Sequence, residues 1–153
     1  MATFDGFAEL RQPAHLVGKL EHDLKRMLAE PGDSYAAFDF FVTAEHILDW
    51  QHPGYAGREH REAAKRDNLL LEITSHIANG AKHFIAGAAH HKSVAGIEKQ
   101  GYADNYVEPG YVEESIVIHL SEAEAAALGA RQVGAAELAH RVLEYWRSQL
   151  DGA

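Results

Sequence analysis

Leucines recur every four residues near the start of the chain, at Leu16, Leu20, Leu24 and Leu28. A spacing of four residues keeps apolar side chains on one face of a helix, and charged residues occupy the other positions here. Pro13 suits a first helical turn, and Pro31 with Gly32 stops the helix. The pattern therefore predicts an amphipathic helix over residues 12–29.

A second helix is predicted up to Trp50, with Asp33 or Ser34 as its cap. It is apolar on most sides, which is typical of a helix at the centre of a bundle. Its polar residues fall close to one stripe at spacings of three and four: Asp39, Thr43, His46 and Asp49. A polar stripe on a central helix needs partners.

A third, long helix is predicted from near Arg58 to His90, with a charged start and an apolar face that includes Phe84. Opposite that face runs a second polar stripe: Glu72, Ser75 or His76, Asn79, Lys82 or His83, and His90. If the two stripes face each other, the side chains of the second helix meet those of the third in a partly enclosed cleft. That cleft would hold His46, Asp49, Asn79, Lys82 and His83.

The helical periodicity disappears after the third helix. Residues 93–109 indicate a loop or irregular hairpin, and the β-branched residues between Glu113 and Leu120 indicate a strand that residues 102–107 can pair with. Ser121 and Glu124 have the spacing of a capping box that opens a short helix. A last helix is predicted over residues 134–150.

These elements predict a mainly α fold, a helical bundle of four or five helices with a small β-hairpin or strand insertion before the C-terminal helices. A length of 153 residues, with 46% hydrophobic and 24% charged residues, suits one globular domain over residues 1–153. No apolar run is long enough to span a membrane. The absence of cysteine excludes disulfides and thiolate metal sites and favours the cytoplasm.

Charge limits the choice of partners. The chain has 14 Lys and Arg against 23 Asp and Glu, a formal net charge of −9, which disfavours sequence-independent binding to RNA. The basic residues at the start of the third predicted helix are the surface best suited to phosphate: Arg58, Arg61, Lys65 and Arg66. Eleven histidines are the one unusual feature of the composition.

Two segments resemble a group of small bacterial and phage-borne helical proteins. The segments are Phe40-Phe-Val-Thr-Ala-Glu-His-Ile-Leu-Asp-Trp50 and Ala78-Asn-Gly-Ala-Lys-His-Phe84. They match the patterns Phe-Phe-x-x-Ala-x-His-x-x-Asp-Trp and Ala-Asn-Gly-x-Lys-His-Phe of that group. At the level of fold the group is similar to the HEPN superfamily of helical bundles. The resemblance covers about a third of the chain.

The resemblance implies a metal-independent ribonuclease of toxin or phage-defence type, completed across a homodimer. Asn79 and His83 match the Asn-x-x-x-His part of the HEPN motif, while Ala78 stands where the motif has arginine. In this interpretation His83 carries the proton, Lys82 steadies the phosphate and Asn79 orients them, with His46 as a second proton carrier beside Asp49. The alternatives are a polar network that fixes helix register, and an inactive HEPN-like module that binds a protein partner.

A metal site is the competing hypothesis, in a histidine-rich metal-binding protein or metalloenzyme. Histidine and carboxylate side chains bind zinc, iron or nickel, and the candidate ligands here are His76, His83, His46 and Glu72. Glu72 and His76 are four residues apart and so lie on the same helix face. His76 and His83 are separated by about 10.5 Å along a helix, so each needs ligands from a neighbouring helix. The ribonuclease interpretation requires no cofactor.

Overall fold

The computed structural model describes residues 3–85, 92–103 and 112–150. This part of the chain contains six α-helices and a three-stranded antiparallel sheet, which confirms the predicted fold class. The helices are α1 (Pro13–Ala29), α2 (Ser34–Gln51), α3 (Arg58–Asp67), α4 (Leu69–His83), α5 (Glu122–Leu128) and α6 (Ala135–Leu150). The strands are β1 (Val94–Ala103), β2 (Val112–Leu120) and β3 (Gln132–Gly134).

The prediction of a single long helix from Arg58 is wrong, because the helix is interrupted at Asn68. Asn68 has extended backbone angles (φ −136°, ψ 115°), and its Oδ1 accepts hydrogen bonds from the N–H groups of Leu70 and Leu71 at 2.9 and 3.3 Å. An asparagine that caps a helix in this way starts a new one. α3 and α4 are therefore separate, and the expected extension to His90 lies outside the described residues.

The sheet is larger than the sequence pattern indicated. Within the segment expected to be a loop or irregular hairpin, residues 94–103 form a ten-residue strand, β1, which pairs antiparallel with β2 so that Val94 lies opposite Leu120 and Tyr102 opposite Glu113. β3 was not expected and extends the sheet on the other side of β2. Backbone pairing forms this sheet, and β1 shows little alternation of apolar and polar residues because its glycines and charged residues interrupt it. Residues 104–107 of the expected pairing segment lie outside the described residues.

The ends of α2 and α5 test two predicted caps. Asp33 caps α2 as expected, and its Oδ1 accepts from the N–H groups of Tyr35 and Ala36 at 3.0 and 3.2 Å. α5 starts after Ser121, but the Ser121 side chain makes no capping hydrogen bond, so the predicted capping box is wrong. α5 ends at Gly129, whose φ of +80° is the left-handed conformation that glycine adopts most easily.

The core forms where α2 and α6 meet the other helices and the sheet. α2 packs against α1, α4 and α6, in agreement with its predicted central position, and α6 also packs against β2 and β3. The largest fully buried side chains include Trp146, Phe40, Leu20 and Ile47. None of the described helices combines the length and the apolar character needed to cross a membrane.

α2 and α4 run antiparallel. Phe38 near the start of α2 and Phe84 just after the end of α4 line the same groove. At the other end of α2, Glu45 pairs with Lys65 of α3 at 2.8 Å, and α3 leads directly into the start of α4. This antiparallel arrangement determines which of the predicted site residues lie near each other.

Candidate functional site

The polar stripe of α2 finds its partners on α1 and α3. Asp39 accepts a hydrogen bond from Arg26 of α1 at 2.8 Å. Glu45 pairs with Lys65 of α3, and Asp49 lies 3.6 Å from Nε of Arg61 of α3. His46 is exposed. Two residues of the stripe expected to face α4, Asp39 and Asp49, therefore contact cations of two other helices, as does the neighbouring Glu45.

The expected cleft of five site residues does not form, because the two halves of the set lie at opposite ends of the α2–α4 pair. His83 precedes Phe84, which lies beside the start of α2, whereas His46 lies about ten residues further along that helix. At 1.5 Å per residue this is a separation of about 15 Å along the helix axis. His46 and Asp49 are thus apart from Lys82 and His83.

Only the α4 part of the predicted set stays together. Asn79 donates from Nδ2 to the carbonyl oxygen of Ser75 at 2.8 Å, which turns its amide back along its own helix. Lys82 and His83 are exposed on the last turn of α4. Their side chains form no hydrogen bond or ion pair within the described part of the chain. The end of α4 therefore presents a cation and an imidazole to solvent.

His76, a proposed metal ligand, joins α4 to the start of β1. Its Nδ1 accepts hydrogen bonds from the backbone N–H groups of Ser93 and Val94 at 3.1 and 2.9 Å. An imidazole nitrogen that accepts carries no proton, so the neutral ring has its hydrogen on Nε2. Ser93 is fully buried, and His76 provides the acceptor that its amide needs.

The four proposed metal ligands do not converge. His76 binds the β1 backbone, His83 is exposed two turns later on α4, and His46 is exposed on α2. The remaining candidate, Glu72, lies near Glu124, whose pKa is raised by burial and by the charge of Glu72. Across residues 3–85, 92–103 and 112–150, no group of three histidines or carboxylates could hold a metal ion.

A groove of about 470 Å³ lies between α2, α4 and β1. Its floor consists of core residues, among them Phe41, Ile77 and Ile118. Large apolar side chains stand exposed around it: Phe84 is 93% exposed, Phe38 51% and Ile97 49%. Exposed apolar residues that gather at one concavity are typical of a binding site.

The groove runs along β1 and over one face of the sheet, because Ile116 and Ile118 of β2 also line it. Six consecutive residues of the strand, from Val94 to Lys99, line it. Successive side chains of a strand point to opposite faces, so a groove on one face would contact every second residue only. β1 is also an outer strand in the order β1-β2-β3. Part of the groove is therefore formed by a strand that, among the described residues, has a neighbouring strand on one side only.

An ion pair and a hydrogen bond to the neighbouring strand β2 hold charged residues of β1 in place. Lys99 pairs with Glu114 at 3.1 Å. On the opposite face, Glu98 accepts from Gln100 and contacts Nε2 of His119, both at 2.7 Å. These hydrogen bonds lower the pKa of Glu98. The strand thus presents paired charges, and the groove itself is lined mainly by apolar residues.

Phe84 has an unusual backbone. Its φ is +65° with ψ −47°, and it ends α4 with its ring in solvent. A non-glycine residue in this region costs about 1–3 kcal/mol, and such strain clusters at binding sites. The sequence pattern placed Phe84 on the apolar face of a continuing helix. It predicted a core residue because nothing local marks the end of α4 at His83.

Gly80 is the sequence feature that marks the groove, but it was not enough to predict the groove. It lines the groove, and a Cβ added at this position would meet nothing within 4 Å. A glycine inside a helical pattern indicates close backbone contact or open space, and the sequence alone does not separate these. The groove was missed for this reason.

Comparison with known protein families, characterised proteins and solved structures finds no match for this chain. The HEPN-like resemblance therefore stays a prediction based on the two motifs that contain His46 and His83. The function has to be argued from the site.

Proposed function

We propose that this protein is an interaction module whose groove binds an extended segment of a partner protein as an additional strand on β1. The observation that supports this most is the row of six consecutive β1 residues, Val94 to Lys99, along the groove. An outer strand offers unpaired N–H and C=O groups, and peptides bind such edges by completing the sheet.

The chemistry of the groove specifies the segment. In a peptide paired to β1, every second side chain points toward the groove, where Phe38, Phe84 and Ile97 are exposed. Burying one large apolar side chain contributes about 1.5–3 kcal/mol, so two or three such residues give a usable affinity. The partner segment is therefore an extended sequence in which apolar residues alternate with polar ones.

This proposal corresponds to the inactive HEPN-like module among the sequence interpretations. The motif arginine is replaced by Ala78, which is buried. The predicted proton carriers His46 and His83 lie about 15 Å apart along the helix axes. With no cysteine in the chain, the cytoplasm stays the proposed compartment.

The test uses a library of extended peptides and a matched pair of glycine substitutions. Gly80→Leu fills the groove, whereas Gly18→Leu adds the same side chain at an exposed, open position of α1. We expect alternating apolar peptides to bind the parent and Gly18→Leu equally, and Gly80→Leu at least tenfold more weakly. Phe84→Gly, which suits the positive φ, should weaken binding without loss of stability.

Hydrogen exchange decides the mode of binding. The proposal requires that a bound peptide slow the exchange of β1 amides while leaving those of α1 unchanged. Equal binding by Gly80→Leu and Gly18→Leu, or binding that leaves the β1 amides unprotected, would overturn it.

A second candidate, the ribonuclease, is favoured by Lys82 and His83, which are exposed and whose side chains form no hydrogen bond or ion pair with the residues that the structure describes. In that reaction His83 takes the proton of a ribose 2′-hydroxyl, the 2′-oxygen attacks phosphorus, and the bond from phosphorus to the 5′-oxygen breaks. Lys82 stabilises the pentavalent phosphorane, and the departing 5′-oxygen takes a proton from a second carrier. Because His46 is distant within one chain, that carrier would come from the partner copy of a homodimer.

RNA cleavage by single variants separates the two candidates. If the ribonuclease proposal holds, His83→Ala abolishes cleavage, Lys82→Ala reduces it, and the control His22→Ala, an exposed histidine of α1, cleaves like the parent. EDTA has no effect in that case. Cleavage that EDTA stops, together with metal found in untagged protein by elemental analysis, would favour the metalloenzyme instead.

A further inference from the structure

A second cavity, of about 490 Å³, lies between α3 and α4 and is separate from the peptide groove. Four of the residues that line it are cations from α3, and the others are two carboxylates and a serine. They are Arg58, Arg61, Lys65, Arg66, Glu62, Glu72 and Ser75. Cations outnumber carboxylates by two among these lining residues, while Glu45 and Asp49 of α2, outside the lining, pair with Lys65 and Arg61.

Two of the cations are held in place at the α2 side of the cavity. Arg61 donates from Nη1 to the carbonyl oxygens of His52 and Gly54, and its Nε lies 3.6 Å from Asp49. Lys65 pairs with Glu45 at 2.8 Å. These contacts limit the conformational freedom of both side chains, so a ligand loses less entropy in ordering them.

The loop that holds Arg61 is packed closely. A Cβ at Gly57 would lie 2.1 Å from the carbonyl oxygen of His52 and 2.9 Å from Nη1 of Arg61. Only glycine allows the chain to pass here without displacing the Arg61 side chain. The position of this guanidinium is therefore determined by the fold as well as by its ion pair.

The remaining cations reach the cavity from its rim. Arg66 is exposed and forms no ion pair within the part of the chain that the structure describes. Arg58 donates from Nε to Glu62 at 2.9 Å, a contact that a more strongly charged anion can replace. Ser75 is 2% exposed, and its Oγ accepts a hydrogen bond from Asn79 at 3.4 Å.

We propose that this cavity binds a phosphomonoester, with Arg61 and Lys65 as fixed cations and Arg58 and Arg66 closing over the phosphate. Guanidinium groups bind phosphate oxygens through pairs of parallel hydrogen bonds. The phosphomonoester is that of a free nucleotide or of an RNA 5′ end, and this site is independent of the groove on β1.

Calorimetry at constant ionic strength tests the proposal, with adenosine monophosphate, adenosine and inorganic sulfate as probes. We expect saturable binding of the monophosphate, no binding of adenosine and binding of sulfate at least tenfold weaker. Arg66→Ala should weaken monophosphate binding at least fivefold, and Lys25→Ala, an exposed cation on α1, should leave it unchanged. Glu62→Gln should strengthen it, because a negative charge leaves the cavity.

A ten-nucleotide RNA with a 5′-phosphate, compared with the same RNA ending in a 5′-hydroxyl, distinguishes the two sources. Tighter binding of the phosphorylated RNA than of the monophosphate identifies an RNA end as the ligand, and the reverse order identifies a free nucleotide. Equal losses in Arg66→Ala and Lys25→Ala, or equal binding of adenosine and its monophosphate, would show that the cavity is not a phosphate site.

Discussion

His76 has a structural role, although its spacing in the sequence suggested that it binds a metal. Its Nδ1 accepts from two backbone N–H groups at the start of β1. Because a helix and a strand are joined through one ring atom, we predict that His76→Ala lowers the free energy of unfolding by about 1–3 kcal/mol, the cost of leaving buried donors unpaired.

Urea denaturation measures this effect, and two variants control it. His76→Asn places an amide oxygen near the position of Nδ1 and should recover part of the loss. His22→Ala removes an exposed histidine and should unfold like the parent protein. A fully stable His76→Ala would contradict the assigned role.

Glu124 is a residue whose ionisation opposes folding. Burial and the charge of Glu72 raise its pKa, although a hydrogen bond from Ser93 acts in the other direction. An acid with a raised pKa in the folded state is favoured when protonated, so its stabilising contribution is lost as the pH rises through that pKa. We predict that Glu124→Gln is slightly more stable than the parent at pH 7 and that this advantage disappears toward pH 4.

Thermal unfolding measured from pH 4 to pH 7 tests whether the stability difference between Glu124→Gln and the parent has the predicted sign and pH dependence. Glu122→Gln is the matched control, because this neighbouring glutamate of α5 is exposed. A gain in stability that is constant with pH, or equal in both variants, would rule out the proposed cause. The effect should be small because the Glu124 carboxylate is only partly buried.

Among the elements, the α3–α4 junction decides how the cationic cavity forms. Asn68 ends one helix and caps the next, and this change of direction sets the four cations of α3 against α4. We predict that Asn68→Ala lowers the free energy of unfolding by about 1 kcal/mol, the usual contribution of a helix cap. Asn68→Asp keeps the acceptor and should unfold like the parent in the same denaturation experiment.

β1 is the element whose character depends most on its surroundings. Its residues include two glycines and the charged pair Glu98 and Lys99, a composition that does not favour a strand. Pairing with the apolar strand β2 compensates for this. The same strand then forms one wall of the groove, so the proposed peptide site exists only because β2 holds β1 extended.

At the scale of the whole molecule, α6 connects the helices to the sheet. It packs against α1, α2, α4, β2 and β3, and Leu138 and Trp146 are buried at its centre. We predict that Leu138→Ala lowers the free energy of unfolding by about 3 kcal/mol, the usual cost of a buried leucine.

Two probes test whether helices and sheet unfold together. Far-ultraviolet circular dichroism follows the helices, and Trp146 fluorescence follows the core beside α6, although Trp50 contributes to the signal. In Leu138→Ala both transitions should move to lower urea concentration by the same amount. Val117→Ala, outside the main core, should shift them less, and separate transitions would show that the helices and the sheet unfold independently.

The sequence by itself determined the elements whose signals are local. The four-residue spacing of leucines predicted α1, the Asp33 cap marked the start of α2, and β-branched residues marked β2, because helix amphipathicity, capping and β-propensity act over a few residues. These patterns were enough for the mainly α fold class with its small sheet.

Tertiary structure alone decided which polar residues meet. Both polar stripes were visible in the sequence, but helix direction was not, and the antiparallel packing of α2 and α4 separates His46 from His83. Cations of α3 instead form ion pairs with two carboxylates of α2, Glu45 and Asp49. A periodic pattern defines the face of a helix, whereas the neighbour that covers this face depends on turns and packing contacts between residues distant in the chain.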